Sequence, residues 1–220
     1  TRKTMMHSLD NRGNRDSSSM TRWQKIDSEK TPINAKETTK IVYIETNTGG
    51  AHVQRFICCT GWDRRIYIWD DDEDQYGDMP IRTHRTHGYV TVMPKENQVH
   101  ESHQNDICDM IACDKLLATC SVDGLLIFWN VQSGEITGKL MFETSVEKIC
   151  YIHKLKLLAA ASSDGYLYFV NTISPFTIVN KLWAGHKHGE HVTAINIDKR
   201  NRYFFSGGTG GHVQVWSIVP

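Results

Sequence analysis

The sequence lacks a long apolar run and an excess of charge of either sign. No stretch of its 220 residues approaches the roughly 20 consecutive apolar residues that a membrane-spanning helix needs. Residues 1–19 contain no apolar centre of the kind that a secretory signal peptide carries. The 25 basic residues balance 25 acidic ones, whereas a nucleic-acid-binding domain normally carries a basic excess. The composition therefore argues against membrane and nucleic-acid partners and favours a cytoplasmic protein.

The motifs of common catalytic and cofactor sites are absent as well. There is no phosphate-binding P-loop, no dinucleotide-binding glycine fingerprint, no G-x-S-x-G nucleophile turn and no CxxC pair. We therefore expect no catalytic residue, no cofactor and no small-molecule substrate.

The cysteines do not follow the pattern of a disulfide-stapled secreted domain. Five of the six lie inside apolar strand-like runs, and Cys58 and Cys59 would point to opposite faces of one strand. Free, buried and reduced thiols in an intracellular protein fit this pattern, with a bound metal as the alternative. The six residues are Cys58, Cys59, Cys108, Cys113, Cys120 and Cys150.

One pattern is repeated four times along the chain. Each copy has a turn residue, apolar residues three and five positions later and, in three copies, a tryptophan six positions later. This alternation is typical of a buried strand entered through a tight turn. The turn residues, which lie 60, 41 and 46 residues apart, are Asp63, Asp123, Asp164 and Gly210. The tryptophans are Trp69, Trp129 and Trp216.

Repeats of this length that end in Trp-Asp or a variant resemble the WD40 β-propeller family. The resemblance covers residues 39–220 and implies an all-β fold with about four blades. The blades are predicted at about 39–95, 103–142, 146–184 and 186–220. Residues 1–38 are polar and are interpreted as a linker that holds at most one closing strand.

The number of strands and the first residue both indicate a piece of a longer protein. The fourth predicted blade has three strands, and four blades are fewer than the seven or so usual for WD40 rings. The chain also begins with Thr1 rather than Met. We therefore expect the C-terminal part of a larger propeller, with the missing strand supplied by residues before 39, by further sequence or by another chain.

The second blade carries His103, Thr119, Asp123 and Trp129, which together resemble a catalytic set of imidazole, hydroxyl and carboxylate. The family resemblance implies a structural role instead, as a hydrogen-bonded chain from Trp through Thr and His to Asp. Buried indole, hydroxyl and imidazole groups must each find a partner. The other blades keep parts of this set, namely His186, Ser206 and Trp216 in the fourth, Asp63 and Trp69 in the first, and Asp164 in the third.

Two segments could bind a metal ion. Residues 185–191 hold three histidines, but His186 belongs to the repeat pattern, which leaves His188 and His191. Zinc usually needs about four ligands. The acidic run Asp70–Asp74 lacks the ligand alternation of a calcium loop. A solvated loop is the expectation for both segments, and we expect no metal.

Trp62 is a candidate protein-binding residue, together with Arg64 and Arg65. The matching positions in the other blades hold Val122, Ser163 and Thr209, so the fold does not require an indole there. Tryptophan and arginine are enriched at interface hot spots. The alternative is that Trp62 packs under the long segment 72–102.

The most probable function from these features is a non-catalytic protein-interaction scaffold in a large multiprotein assembly. Residues 61–75 and 103–140 further resemble ciliary WD-repeat proteins that carry EF-hand domains, which implies a microtubule-associated structural component of the ciliary or flagellar axoneme. Alternatives are a substrate-recruiting module of a ubiquitin-ligase or chromatin complex, and a hydrolytic enzyme built on a propeller. No EF-hand motif is present, so no calcium site is implied.

Overall fold

The fold consists of four antiparallel sheets that follow one another along the chain. A computed structural model describes residues 37–47, 53–70, 91–185 and 190–218. The first sheet contains β1 (Thr38–Asn47), β2 (Val53–Gly61), β3 (Ile66–Asp70) and β4 (Thr91–Met93). The second contains β5 (Ile107–Cys113), β6 (Leu116–Ser121), β7 (Leu125–Asn130) and β8 (Glu135–Met141).

The last two sheets continue the same order. The third contains β9 (Val146–Ile152), β10 (Leu157–Ser162), β11 (Tyr166–Asn171) and β12 (Ile178–Trp183). The fourth contains β13 (Val192–Ile197), β14 (Tyr203–Gly208) and β15 (Val213–Ser217). A short 3₁₀ helix, Glu96–Glu101, links the first two sheets, and within the described ranges no helix is long and apolar enough to cross a membrane.

The sheets are arranged as propeller blades. Each strand pairs with the next one in sequence, and β1, β5, β9 and β13 lie side by side at the inner edges of their sheets. The expected all-β propeller fold is therefore confirmed. The short strand Thr91–Met93 is the outer strand of the first blade.

Apolar side chains fill the spaces between neighbouring blades. Residues three and five positions after each turn residue point towards the next blade: Ile66 and Ile68 pack against Leu117 and Trp129 of the second. Leu126 and Phe128 meet the third blade in the same way, and Leu167 meets the fourth. These side chains are fully or almost fully buried, so each interface is closed by the same two strand positions.

A buried carboxylate also ties three blades together. Asp109 on β5 is 5% exposed and forms an ion pair with Lys40 on β1, with 3.1 Å between Nζ and Oδ1. Its other oxygen accepts a hydrogen bond from the backbone N–H of Ile149 on β9 at 3.2 Å. A buried carboxylate needs such partners, and here they come from both neighbouring blades.

The cysteines carry free thiols and, apart from the half-buried Cys108, are buried. Burial raises the pKa of the Cys58 thiol to about 12, with a further contribution from Cys59. It raises the pKa of Cys150 to about 11. These thiols are therefore protonated near neutral pH and behave as small apolar side chains.

The outer face of the fourth blade is apolar and exposed. Val213 and Val215 occupy the two strand positions that are buried in the other blades, yet they are 68% and 62% exposed. Exposed apolar sheet faces promote association between molecules.

We expect the chain to self-associate through this face. Val213→Thr combined with Val215→Thr should lower the self-associated fraction in light scattering while leaving the melting temperature nearly unchanged, because both side chains are exposed. The control is Ile195→Thr, a partly buried residue of the same blade packed against the third, which should lower the melting temperature instead. A wild-type chain that stays monomeric at high concentration would contradict this expectation.

Candidate functional site

The turn between the second and third strands, called the second turn below, recurs in all four blades. It carries the predicted residues Trp62, Asp63, Arg64, Arg65, Asp123 and Asp164. In the second blade it is formed by Val122–Gly124, and Asp123 accepts hydrogen bonds from the backbone N–H groups of Leu125 at 2.8 Å and Gln104 at 2.7 Å. Gly124 has φ +80°, and a Cβ there would lie 2.7 Å from the Phe142 carbonyl oxygen. Glycine is therefore required after this aspartate.

The four polar residues predicted in the second blade form one hydrogen-bonded chain. The Trp129 indole N–H donates to the Thr119 hydroxyl at 2.8 Å, and that oxygen lies 2.8 Å from Nε2 of His103. Nδ1 of His103 lies 3.4 Å from the Asp123 carboxylate. A neutral His103 with its proton on Nδ1 satisfies every member of this chain. Thr119 is completely buried and both donates and accepts, so its hydroxyl is not open to a substrate.

The Asp123 carboxylate is stabilised in its charged form. Burial opposes the charge and by itself would raise the pKa of Asp123. The hydrogen bonds from His103 and from the Leu125 and Gln104 backbones outweigh burial and lower this pKa from 3.8 to about 2. The carboxylate is therefore ionised at any physiological pH and orients the imidazole of His103.

We expect His103→Ala and Asp123→Ala each to lower the free energy of unfolding by about 1–3 kcal/mol, since buried polar partners lose their hydrogen bonds. Denaturant unfolding measures this change. His100→Ala is the matched control, because His100 is exposed on the 3₁₀ helix. Unchanged unfolding midpoints for both blade variants would exclude a structural role for the polar chain.

We expect a pH dependence specific to Asp123. Its pKa is lowered in the folded protein, so its contribution of about 2 kcal/mol is complete above the unfolded value. The contribution is lost as the pH falls from 3.8 towards about 2. The difference in unfolding free energy between wild type and Asp123→Asn should therefore shrink over this interval. A difference that stays constant with pH would show that the carboxylate is not stabilised by folding.

The fourth blade contains a shortened version of the chain. The Trp216 indole N–H donates to the Ser206 hydroxyl at 3.1 Å. The space that a turn aspartate would occupy is filled by the Glu190 carboxylate, which lies 2.1 Å from where a Cβ would stand on Gly210. His186 lies outside the described residues, as does the Trp69 side chain of the first blade.

In the first and third blades a tyrosine takes the place of the histidine. The Tyr67 hydroxyl donates to Asp63, and the Tyr168 hydroxyl donates to Asp164 at 2.9 Å. Burial raises the pKa of Tyr67 to about 12, and the bond to Asp63 adds to this effect. Sequence reasoning missed both pairs, although each tyrosine stands four positions after its aspartate. This Asp-x-x-x-Tyr spacing was the available signal.

Trp62, Arg64 and Arg65 lie together on the exposed second turn of the first blade. Trp62 is 45% exposed, and its backbone N–H bonds to the Glu37 carbonyl at 3.1 Å. Arg64 has φ +64°, and its guanidinium donates to the Gln104 carbonyl of the next blade at 3.3 Å. Of the segment proposed to cover Trp62, residues 72–90 lie outside the described residues.

A neighbouring side chain extends this surface. Val122 occupies the position of Trp62 in the second blade and is also exposed. Its backbone N–H bonds to the Asp106 carbonyl at 3.2 Å, just as the N–H of Trp62 bonds to Glu37. The same backbone pairing thus holds both apolar side chains on one side of the propeller.

The candidate metal ligands are only partly described. His188 and the acidic residues after Asp70 lie outside the described ranges. Nδ1 of His191 lies 2.7 Å from the Ser163 carbonyl, which links the fourth blade to the third. Among the described residues, no group of three His, Cys, Asp or Glu side chains could hold a metal ion.

Comparison with known protein families and structures agrees with this architecture. The family described as WD domain, G-beta repeat, matches residues 94–130 and 177–217. A protein in a crystal structure of the mitotic checkpoint complex superimposes with a TM-score of 0.61 at 14% identity over 84% of this chain and 50% of that one. The computationally designed Ika8 protein gives 0.57 at 17% identity over 82% and 46%. These structures support the fold alone.

Three curated relatives align with parts of the chain. The U3 small nucleolar RNA-associated protein 21 homolog of Schizosaccharomyces pombe is 26% identical over 48% of this chain and 11% of the relative. The Ribosome biogenesis protein WDR12 homolog of Aedes aegypti is 25% identical over 70% and 37%. The Protein LST8 homolog of Dictyostelium discoideum is 28% identical over 47% and 33%. The chain thus spans between 11% and 37% of the length of these three relatives.

Proposed function

We propose that this chain, a WD40-repeat protein whose repeats form propeller blades, is a non-catalytic scaffold that holds other proteins in a multiprotein complex. Residues 94–130 and 177–217 match the WD domain, G-beta repeat, family, and the resemblance to this family implies a role in protein interaction. The observation that carries the proposal is the exposed indole of Trp62 beside Arg64 and Arg65, which the fold does not require.

Several contacts support this surface as a binding site. The Arg64 side chain is held by the Gln104 carbonyl, and the turn is braced by Asp63, which accepts a hydrogen bond from the Arg65 N–H at 3.2 Å. Side chains that are ordered before binding lose less entropy when a partner docks. Trp62 supplies apolar area and the arginines supply charged hydrogen bonds, a composition typical of hot spots.

The polar chain of the second blade supports a non-catalytic role. Its imidazole, hydroxyl and carboxylate all form hydrogen bonds with one another or with the backbone. A nucleophile must reach its substrate, whereas Thr119 is buried beneath Trp129.

For the cellular setting we propose the ciliary axoneme, on the sequence resemblance of residues 61–75 and 103–140 alone. The second candidate is a ribosome-assembly complex, because two of the three relatives named above carry RNA-associated or ribosome-biogenesis names. A ubiquitin-ligase or chromatin complex is the third and has no specific observation in its favour.

We expect Trp62→Ala to weaken partner binding by at least about 2 kcal/mol, as truncation of a hot-spot residue does. Affinity purification of the tagged full-length protein followed by quantitative mass spectrometry should show the loss of specific partners, while the melting temperature is unchanged. Trp183→Ala is the matched control, because this exposed tryptophan lies on the outer strand of the third blade. Equal partner recovery by wild type and Trp62→Ala would contradict the proposed site.

The cellular setting is tested by tagging the full-length protein in a ciliated cell. Retention in detergent-extracted axonemes is the expected result. A nucleolar signal would favour the ribosome-assembly candidate, and a diffuse signal with none in the axoneme would overturn the axonemal proposal.

A further inference from the structure

The side of the propeller opposite Trp62 carries the turns between the first and second strands, which the structure describes in the second, third and fourth blades. Antiparallel strands place these turns at the other end of the sheet from the second turns. In the last three blades they are residues 114–115, 153–156 and 198–202, which together are called the basic turn face below.

The three turns are neighbours in space. The Tyr151 hydroxyl donates to Asp114 at 2.7 Å, and the Lys156 ammonium donates to the same carboxylate at 2.8 Å. These two bonds join the second blade to the third. Ile152 and Ile197 are the last residues of β9 and β13, directly before the turns of the third and fourth blades, and they pack in one apolar cluster. The turns therefore form one continuous surface.

This surface has a positive charge that the whole chain does not have. The three turns contain six basic residues and two carboxylates. With His153 counted as neutral, this is an excess of four positive charges. All six basic side chains are exposed. The carboxylates are Asp114 and Asp198. The basic residues are Lys115, Lys154, Lys156, Lys199, Arg200 and Arg202.

Both carboxylates already have hydrogen-bonding partners, Asp198 beside its own turn and Asp114 in the third blade. Asp198 accepts backbone hydrogen bonds from Tyr203 at 2.7 Å, Arg202 at 2.5 Å and Arg200 at 3.1 Å. These bonds lower the pKa of Asp198, led by the one from Tyr203. Asp114 is bound by Lys156 and Tyr151.

Four cations of the face are left to meet solvent or a partner. Lys156 pairs with Asp114, and the Arg202 guanidinium lies over the Tyr203 ring. The other four form no ion pair with another residue in the described part of the chain, and they are Lys115, Lys154, Lys199 and Arg200. Charges of one sign concentrated on one surface attract an oppositely charged partner and speed its association.

Aliphatic side chains stand among these cations. Leu155 is 37% exposed within the turn of the third blade. Ile173 is 60% exposed, and its neighbour Thr172 bonds through its hydroxyl to the Lys156 carbonyl at 2.8 Å. Single-stranded nucleic acids are bound by aromatic stacking beside basic residues, whereas the exposed ring of Tyr203 beside the last turn already has the Arg202 guanidinium over it, 5.6 Å from its centre. Leucine and isoleucine instead fit a protein segment with aliphatic residues of its own.

We propose that the basic turn face binds a protein segment in which acidic residues alternate with aliphatic ones. Carboxylates of the segment pair with Lys115, Lys154, Lys199 and Arg200, and its aliphatic side chains cover Leu155 and Ile173. The inference rests on the scaffold function and extends it. One chain then holds two partners, one on the Trp62 side and one on the opposite side of the propeller.

The test measures fluorescence anisotropy of a labelled synthetic peptide in which Asp and Glu alternate with Leu, added to the full chain. We expect binding that weakens as salt rises. Lys154→Glu combined with Lys199→Glu should weaken it at least about tenfold, because two attractive charges become repulsive. The matched control is Arg64→Glu combined with Arg65→Glu, which changes the net charge equally on the other side and should leave peptide binding within about twofold.

Further arms separate the other outcomes. Leu155→Ser with Ile173→Ser should weaken the Asp/Glu/Leu peptide and leave an Asp/Glu/Ser peptide unaffected. All variants should melt at the wild-type temperature, since the changed side chains are exposed. Tighter binding of single-stranded poly(U) RNA than of the peptide would overturn the proposal in favour of a nucleic acid. No peptide binding, or equal loss in both charge-reversal variants, would also overturn it. None of these outcomes tests the Trp62 surface, because the partners of that surface are measured separately by affinity purification.

Discussion

Each sheet in this protein depends on its neighbour to cover an apolar face. The two strand positions that follow every second turn are buried where a next blade is present, as at Leu126 and Phe128, and exposed at Val213 and Val215, where none is described. A sheet with one apolar face must bury that face against another element. Stability is therefore shared between adjacent blades, as in other repeat proteins.

Polar groups in the second turns show how one backbone geometry is kept with different partners. The aspartates of the first three blades each accept the backbone N–H two residues later, which stabilises the turn. In the second blade the other oxygen accepts the Gln104 N–H and His103 lies beside the first oxygen. In the first and third blades the other oxygen accepts a tyrosine hydroxyl. The first and third blades therefore lack the histidine but keep a hydrogen-bond donor, because a tyrosine hydroxyl binds the half-buried carboxylate instead.

The two sides of the propeller offer different chemistry to partners. Trp62 and the nearby arginines provide an aromatic and charged surface on the side of the second turns. The first turns provide cations whose neighbouring carboxylates already accept hydrogen bonds from other groups of the protein. Rigid blades fix both surfaces relative to each other, which is the property a scaffold needs.

The sequence by itself determined the all-β class, the strands and the members of the polar chain in the second blade. These follow from local signals, since alternating apolar residues, turn glycines and the Trp-Asp ending each lie within one repeat. The hydrogen bonds of Tyr67 and Tyr168 could have been predicted from the spacing of these residues from Asp63 and Asp164. Their role depends on burial, however, which a single strand does not specify.

Only the tertiary structure decided which distant residues meet. The approach of Asp109 to Lys40 and Ile149, and of Glu190 to Gly210, brings together strands and connections that the local pattern treats separately. The grouping of cations from three separate turns is of the same kind, because a neutral total charge hides an uneven distribution. Local periodicity fixes where a strand lies, whereas the packing of blades about a common axis fixes which side chains share a surface.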